Sequence, residues 1–211
     1  MHIVAFNGSP RAKGNTYKML SRMLDRCRER GFTTELVSMG DVGNGCKSCG
    51  LCRKNEREWC YQKDDPIINE CFAKLLAADG VILGSPVYAG WLTPSMKGFI
   101  EKAVFMARAP IKRGEPHTVL RNKVGVAVCS TRRSGGIQTL QSMMSLFAHT
   151  QMIMPCGGDW PIASFGSMNP DAFLRDERGM AIIDRTADSL IEALFRLHGD
   201  KWSLSQQEVV L

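Results

Sequence analysis

A doubly wound α/β fold, built on a five-stranded parallel sheet in order 2-1-3-4-5, is predicted by three observations. Short apolar runs alternate five times with stretches of helical periodicity along the 211 residues. The innermost runs are near-continuous in their apolar character, as strands covered on both faces are. Polar, glycine-bearing turns follow three of the runs, where parallel sheets present their ligand loops. Right-handed crossovers leave few topologies for five such units, and this strand order is the best match.

Residues 2–6 are the first strand candidate, ended by Asn7, Gly8, Ser9 and Pro10. From Asn15 onward, Leu20, Met23, Leu24 and Cys27 recur at helical spacing, and Gly31 supplies a stop. Residues 32–37 form the second strand candidate. Between Ser38 and Asp65 the pattern breaks for far longer than the usual few-residue connection, which marks an insertion with its own task. Pro66 then stands at a first helical position behind Asp64 and Asp65, and Ile67, Ile68, Cys71, Phe72, Leu75 and Leu76 mark one helical face. Residues 81–83 read as a buried strand, 84–93 as a loop and 94–107 as a helix. A polar stretch, 108–122, leads to a fourth strand over 123–129, a loop over 130–136 and a helix over 137–149. Met152, Ile153 and Met154 are the last strand candidate. Residues 156–179, rich in Gly, Pro, Ser and Asn, are expected to wrap the surface or cover a site, and 180–197 form a long final helix. One domain is expected over 1–211, with a cysteine-rich insertion at 38–65 and an irregular segment, helix and tail at 156–211.

The first loop, Gly8-Ser9-Pro10-Arg11-Ala12-Lys13-Gly14-Asn15-Thr16, runs from a strand into a helix. Hydroxyls of Ser9 and Thr16, amides near Gly14 and Asn15, the positive helix end and the Arg11 fork together suit a phosphate. The stretch lacks both the Walker A pattern and the dinucleotide fingerprint, so a monophosphate is the simpler ligand. The competing reading is an ordinary turn behind a helix capped by Asn or Thr. In the second loop, Pro86, Val87, Tyr88, Ala89, Gly90 and Trp91 combine small residues, which admit a flat heterocycle, with aromatics that lie against one or fill core. The third loop carries Ser130, Arg132, Arg133, Ser134, Gly135 and Gly136.

These motifs together resemble the NADPH-dependent FMN reductase family of the flavodoxin-like fold. The matching residues are Gly8-Ser9-Pro10-Arg11 with Gly14-Asn15-Thr16, then Gly84-Ser85-Pro86-Val87-Tyr88 with Gly90, and Ser134-Gly135-Gly136 before a helix; they span roughly residues 1–158. The resemblance implies that Ser9, Arg11, Asn15 and Thr16 bind the FMN phosphate, that residues 86–90 line the isoalloxazine, and that 130–136 border it. It also implies a homodimer or homotetramer with the flavin near a subunit interface. A net charge of +6 suits the collection of an anionic cofactor such as a flavin phosphate or NADPH. Lys and Arg are scattered without aromatic interleaving, which argues against a nucleic-acid surface. No signal-peptide pattern opens the chain and no apolar run nears membrane-span length, so a cytoplasmic location is expected.

Within that family the insertion resembles the iron-sulfur flavoproteins. Of eight cysteines, Cys46, Cys49, Cys52 and Cys60 fall in one polar stretch, with the last after a seven-residue gap. In a reducing compartment such clusters serve metals or redox chemistry more often than disulfides. Soft sulfur ligands suit a [4Fe-4S] cluster or zinc, and free or reversibly oxidised thiols are the bland alternative. That wide last gap is a departure from the family pattern, and the flank is unusually charged: Arg53, Lys54, Glu56, Arg57 and Glu58. Cys27, Cys71 and Cys129 belong to apolar patterns. His2, His117, His149 and His198 stand isolated, and no Ser-His-Asp or metallohydrolase arrangement appears. An FMN-dependent oxidoreductase or electron-transfer protein is therefore expected, taking electrons from ferredoxin or NAD(P)H and passing them to a quinone, oxygen or another small acceptor. The alternatives are a cluster-free NAD(P)H-dependent reductase and a thiol or flavin redox sensor that binds a protein partner.

Overall fold

Burial decides which runs become strands. In the computed structural model, which describes residues 1–40, 42, 44–54, 59–62, 66–164, 169 and 171–198, the elements are β1 (His2–Asn7), α1 (Asn15–Glu29), β2 (Thr33–Ser38), α2 (Leu51–Lys54), α3 (Pro66–Ala77), β3 (Gly80–Pro86), α4 (Pro94–Ala107), α5 (Ala109–Lys112), β4 (Val124–Thr131), α6 (Gly136–His149), β5 (Ile162–Ser164), a 3-10 turn at Ala172–Arg175 and α7 (Glu177–Leu197). All strand pairs are parallel and the order is β2-β1-β3-β4-β5, as the sequence predicts. The expectations attached to Glu56, Arg57 and Glu58, to Asp64 and Asp65, and to the tail at 203–211 lie outside the described residues.

The inner strands are buried on both faces: every residue of β4 and nearly every residue of β1 and β3 is shut from solvent. Two cores result. On one face Met19, Leu20, Met23, Leu24 and Cys27 of α1 meet Ile183, Leu190 and Leu194 of α7 over Ile3, Ala5, Ile82 and Val126. The other face packs α3, α4 and α6 through Phe72, Phe99, Met106, Leu140 and Phe147 over Val4, Phe6, Val81 and Leu83. Each such side chain contributes roughly 1.5–3 kcal/mol by burial. Bidentate pairs Arg22–Asp184 and Arg26–Asp188 set α1 against α7 at their exposed rim.

The fifth strand is not where the apolar run lies. Ile153 makes only an isolated bridge to Val124: its N–H donates to Lys123 O (2.9 Å) and its carbonyl accepts from Gly125 (2.8 Å). The next N–H needed on that ladder belongs to position 155, which is proline and has none. The chain leaves the sheet there, turns through Gly158 at φ 81°, and returns when Pro161 O accepts the Cys129 N–H (3.0 Å), so that Ile162–Ser164 pair with Cys129–Thr131. The segment expected to be irregular thus supplies β5.

Candidate functional site

Three loops at the carboxyl ends of β1, β3 and β4 close on one cleft of about 490 Å³, lined by Ser9, Arg11, Gly14, Asn15, Thr16, Pro86, Val87, Tyr88, Ala89, Ser130, Thr131 and Arg132. Its floor is hydroxyl-rich. Ser9, Thr16 and Ser130 are buried, and the Thr16 and Ser130 hydroxyls share a hydrogen bond of 2.9 Å. The Ser9 hydroxyl accepts the Arg11 N–H at 3.1 Å, which coils the first loop toward α1. Helix α1 opens at Gly14 with no side-chain cap and no acid in its first turn. The capped-helix alternative is therefore not what the chain adopts, and first-turn N–H groups face the cleft end of the helix without a side-chain partner.

A second tier of polar residues holds the loops in register. Asn7, fully buried at the end of β1, accepts the Ser9 N–H through Oδ1 (3.0 Å). Gly8 donates to Gly84 O (2.8 Å), while the Thr93 hydroxyl donates to Gly8 O (2.7 Å) and caps α4 by accepting from Met96 (3.3 Å). A Cβ on Gly8 would stand 2.9 Å from Met96 Cβ, so that position admits no side chain without a shift. The second loop turns tightly, Tyr88 and Trp91 exchanging both backbone hydrogen bonds across Ala89 (φ 49°) and Gly90 (φ 83°). Gly135 (φ 85°) packs on that turn: a Cβ there would lie 2.8 Å from both the Cα and the carbonyl oxygen of Gly90. Loops two and three thus touch through a glycine pair.

Of the residues singled out from sequence, Gly90, Trp91, Arg133, Ser134, Gly135 and Gly136 stand outside the cleft lining and build or border its rim. Asn15 lines the cleft, but its side chain is a tether: Nδ2 donates to Asn169 O (2.9 Å) and Oδ1 accepts the Phe173 N–H (3.1 Å). With the Lys18–Asp171 ion pair, it straps the segment before α7 over the first turn of α1. Thr131, which lines the cleft, entered the sequence reading only within the stretch 130–136 and Ser85 only within the matching motif, and the supports Asn7 and Thr93 were given no role. Thr93 before Pro94 carried a readable signal, the cap-then-proline pattern.

Cys46, Cys49, Cys52 and Cys60 line a second, separate pocket, walled by Arg53 of α2, by Tyr61, and by Lys102, Phe105 and Met106 on the far half of α4. Two side chains from neighbouring helices anchor its ends. Asn69 of α3 grips Cys60 reciprocally, accepting its N–H and donating to its carbonyl, both at 2.8 Å. Glu101 of α4 accepts the Cys46 N–H at 3.1 Å and pairs with Lys97 at 2.9 Å. Partial burial opposes its ionisation, yet Lys97 and that N–H prevail and hold its carboxyl below the ordinary range. Around Cys49 the chain is left-handed at both Ser48 (φ 53°) and Gly50 (φ 74°), and the Ser48 N–H donates to Cys46 Sγ (3.4 Å). Burial pushes the Cys52 thiol up, with the Cys46 thiol adding to the effect and Arg53 opposing it. Cys27, Cys71 and Cys129 are core residues, and burial drives the thiols of Cys27 and Cys129 up to about 12. Among the described residues, no three of His, Cys, Asp or Glu converge closely enough to hold a single metal ion.

The family model for NADPH-dependent FMN reductase matches residues 1–166. The chain belongs to that family. It is accordingly a flavin-dependent oxidoreductase, and the three-loop cleft falls wholly within the matched residues. Relatives sharpen the comparison. A Methanosarcina thermophila protein named an iron-sulfur flavoprotein is 31% identical over 92% of this chain and 95% of its own length. Another of that name, from Methanocaldococcus jannaschii, is 34% identical over 79% of this chain and 81% of its own. In fold, the chain is similar to RosB, solved with bound 8-demethyl-8-formylriboflavin-5'-phosphate, with a TM-score of 0.68 at 13% identity over 96% of this chain and 82% of that one. Among the described residues no helix is long and apolar enough to cross a membrane.

Proposed function

We propose that this oxidoreductase takes electrons from ferredoxin or NAD(P)H and passes them to a quinone, oxygen or another small acceptor, with FMN in the three-loop cleft and a [4Fe-4S] cluster on Cys46, Cys49, Cys52 and Cys60. The observation that carries the reading is the convergence of three buried hydroxyls on the uncapped start of α1, in a chain whose four clustered cysteines share a second pocket. When bound, FMN supplies hydride and single-electron chemistry, and a four-iron cluster supplies one-electron exchange.

The residues present fit both groups by donor chemistry. Ser9, Thr16 and Ser130 offer hydroxyls and α1 its first-turn N–H groups to a phosphate, while Arg11 and Arg132 offer charged forks at the mouth. Pro86, Val87, Tyr88 and Ala89 form a low-relief wall for a flat ring, with Gly90 and Gly135 letting the two loops close behind it. Among the described residues the lining contains no carboxylate, imidazole or thiol, so these side chains bind and orient, and an anionic ligand meets no like charge from them. At the thiols, four sulfur donors face one pocket from a loop pinned at both ends, the arrangement a multi-iron group requires. Residues 38–65 act in this reading as an insertion carrying the thiols on a single domain. Exposed Leu51, Trp59 and Tyr61 near the cysteine loop, with Tyr88 and Trp91 at the cleft, offer apolar surface for a homodimer or homotetramer.

Iron, acid-labile sulfide, zinc and flavin content per chain, measured on protein purified without oxygen, tests the reading. About four iron, four sulfide and one FMN are expected. FMN without iron, persisting after anaerobic reconstitution, overturns the cluster and leaves a thiol-bearing NAD(P)H-dependent reductase. Two observations favour that second reading: no single-ion ligand set is formed among the described residues, and the pocket that the four cysteines help to line is only about 30 Å³.

A further inference from the structure

The outer edge of β4 is paired at both ends and open between them. On that edge alternate residues present both backbone groups: Lys123 O and the Gly125 N–H bond to Ile153, and the Cys129 N–H bonds to Pro161 O. The groups that fall between, Gly125 O, the Ala127 N–H and Ala127 O, have no hydrogen bond to any described residue. Two prolines cause this. Parallel pairing would draw the donor for Gly125 O from position 155 and the donor for Ala127 O from position 161, and proline at both withholds the N–H. The strap between the prolines bows outward and is held to α7. There the Ser189 hydroxyl donates to Cys156 O (3.2 Å), and a Cβ on Gly157 would lie 3.0 Å from the Thr186 nitrogen. The space under the strap is a cavity of about 380 Å³, the size of a small-molecule site. Gly125 and Ala127 form its inner wall, and both are buried. Met144 and Phe147 of α6 stand on one side of the sheet plane and Thr186 of α7 on the other, which makes a slot for a flat ring lying edge-on to β4. Exposed Met154 and Trp160 complete its rim.

We propose that this cavity binds an adenine ring, in a nucleoside or a dinucleotide, by its amino edge against β4. Buried backbone groups are nearly always paired, and here they read acceptor, donor, acceptor along the wall. Adenine offers the complement: its amino group donates, its N1 accepts, and its C2–H is a weak donor. Guanine, hypoxanthine, cytosine and the flavin ring each set a donor or an acceptor against its like somewhere on that wall, which costs a buried polar group its partner. Among the described residues the lining carries no cation, so the base and not a phosphate is what the cavity reads. The site is separate from both the three-loop cleft and the cysteine pocket, with which it shares no lining residue.

Calorimetric titration of adenosine into the full chain, with FMN in excess to keep the three-loop cleft out of the measurement, tests this. Saturable binding is expected. The N6-dimethyl derivative of adenosine, which lacks the donor, and inosine, which carries an oxygen in its place, should bind about tenfold more weakly. The riboside of diaminopurine, which adds a third donor, should bind at least as tightly as adenosine. Met144→Trp narrows the slot and Trp160→Ala opens its rim, so each should weaken adenosine about fivefold, with the circular dichroism spectrum of the parent retained. Should both variants fail to fold, the analogue series still decides. No binding of adenosine up to about 10 mM overturns the inference and leaves the edge to water or to a second copy of the chain. Equal affinity for adenosine, its dimethyl derivative and inosine overturns it as well, because the edge is then not read. Binding that both folded variants leave unchanged places the ligand elsewhere and also overturns it. Displacement of adenosine by NADPH would show that the base arrives within a dinucleotide, and adenosine binding without such displacement that the nucleoside is the ligand.

Discussion

The two pockets are built on different principles. The three-loop cleft is made by strand ends that the sheet already brings side by side, and its walls are locked by backbone: Gly8 on Gly84, Gly135 against Gly90, Val87 on Ser130. The cysteine pocket sits on a loop between β2 and α3, laid on the outside of α4 and held by side chains, chiefly Asn69 and Glu101. One site is inherited from the fold and the other is grafted onto it. Damage to either should therefore leave the other standing.

The largest expected effect is the removal of a thiol. Cys52→Ser should lower iron and sulfide per chain by more than tenfold after anaerobic reconstitution, since thiolate ligation is what holds such a group. FMN content should remain near that of the parent, because no cysteine is among the described residues that line the cleft. Metal and flavin analysis of the same preparation reads both numbers, and joint loss of iron and FMN would break the claim of two separable sites.

The mirror experiment is Gly135→Ala. A methyl at φ 85° is strained, and it would press on the Gly90 backbone at 2.8 Å, where no flexible side chain can yield. A cost of about 1–3 kcal/mol should weaken FMN binding by tenfold or more in a fluorescence titration, with iron content preserved. Thr16→Val is subtler. It keeps shape but deletes the hydroxyl bonded to Ser130, and a loss of about 1 kcal/mol corresponds to a several-fold weaker FMN affinity. An unchanged affinity would mean that the Thr16–Ser130 pair is structural and does not meet the phosphate.

This difference in construction also explains what the sequence discloses. The strand order, both cores and the positions of the three loops were legible because periodicity and glycine-bearing turns are local signals. Met152 to Met154 misled for the opposite reason: the apolar run is real, but Pro155 withholds the one N–H that would extend the ladder, and a three-residue strand from a Gly- and Pro-rich stretch takes its place. Asn15 was legible as a cleft residue and illegible as a tether, since its partners Asn169 and Phe173 lie over 150 positions away. The four cysteines announced themselves. Their anchors did not, because nothing local distinguishes Asn69 or Glu101 from other polar residues on a helix.

Those anchors supply the finer tests of the grafted site. Asn69→Leu removes the two hydrogen bonds that Asn69 makes to the half-buried Cys60 backbone, at about 1 kcal/mol each. Cys60 is the proposed ligand set apart by the long gap, so iron retention against a chelator should shorten several-fold while FMN affinity is untouched.

The smallest effect concerns Glu101 and has a defined sign. Its carboxyl is held below the ordinary range in the folded chain, so the anchoring it provides is complete above the unfolded carboxylate value of about 4.3. That anchoring is lost as pH falls through the depressed folded value. The side chain is about a third exposed, with 34% of its surface open, so screening keeps the contribution small. Glu101→Gln retains an acceptor for the Cys46 N–H but gives up the charge that Lys97 reinforces. Protease nicking of the cysteine loop in iron-free protein should rise below about pH 4 in the parent more steeply than in the Gln variant. Parallel pH profiles for the two chains would show that the loop is held by packing against α4 and not by this carboxylate.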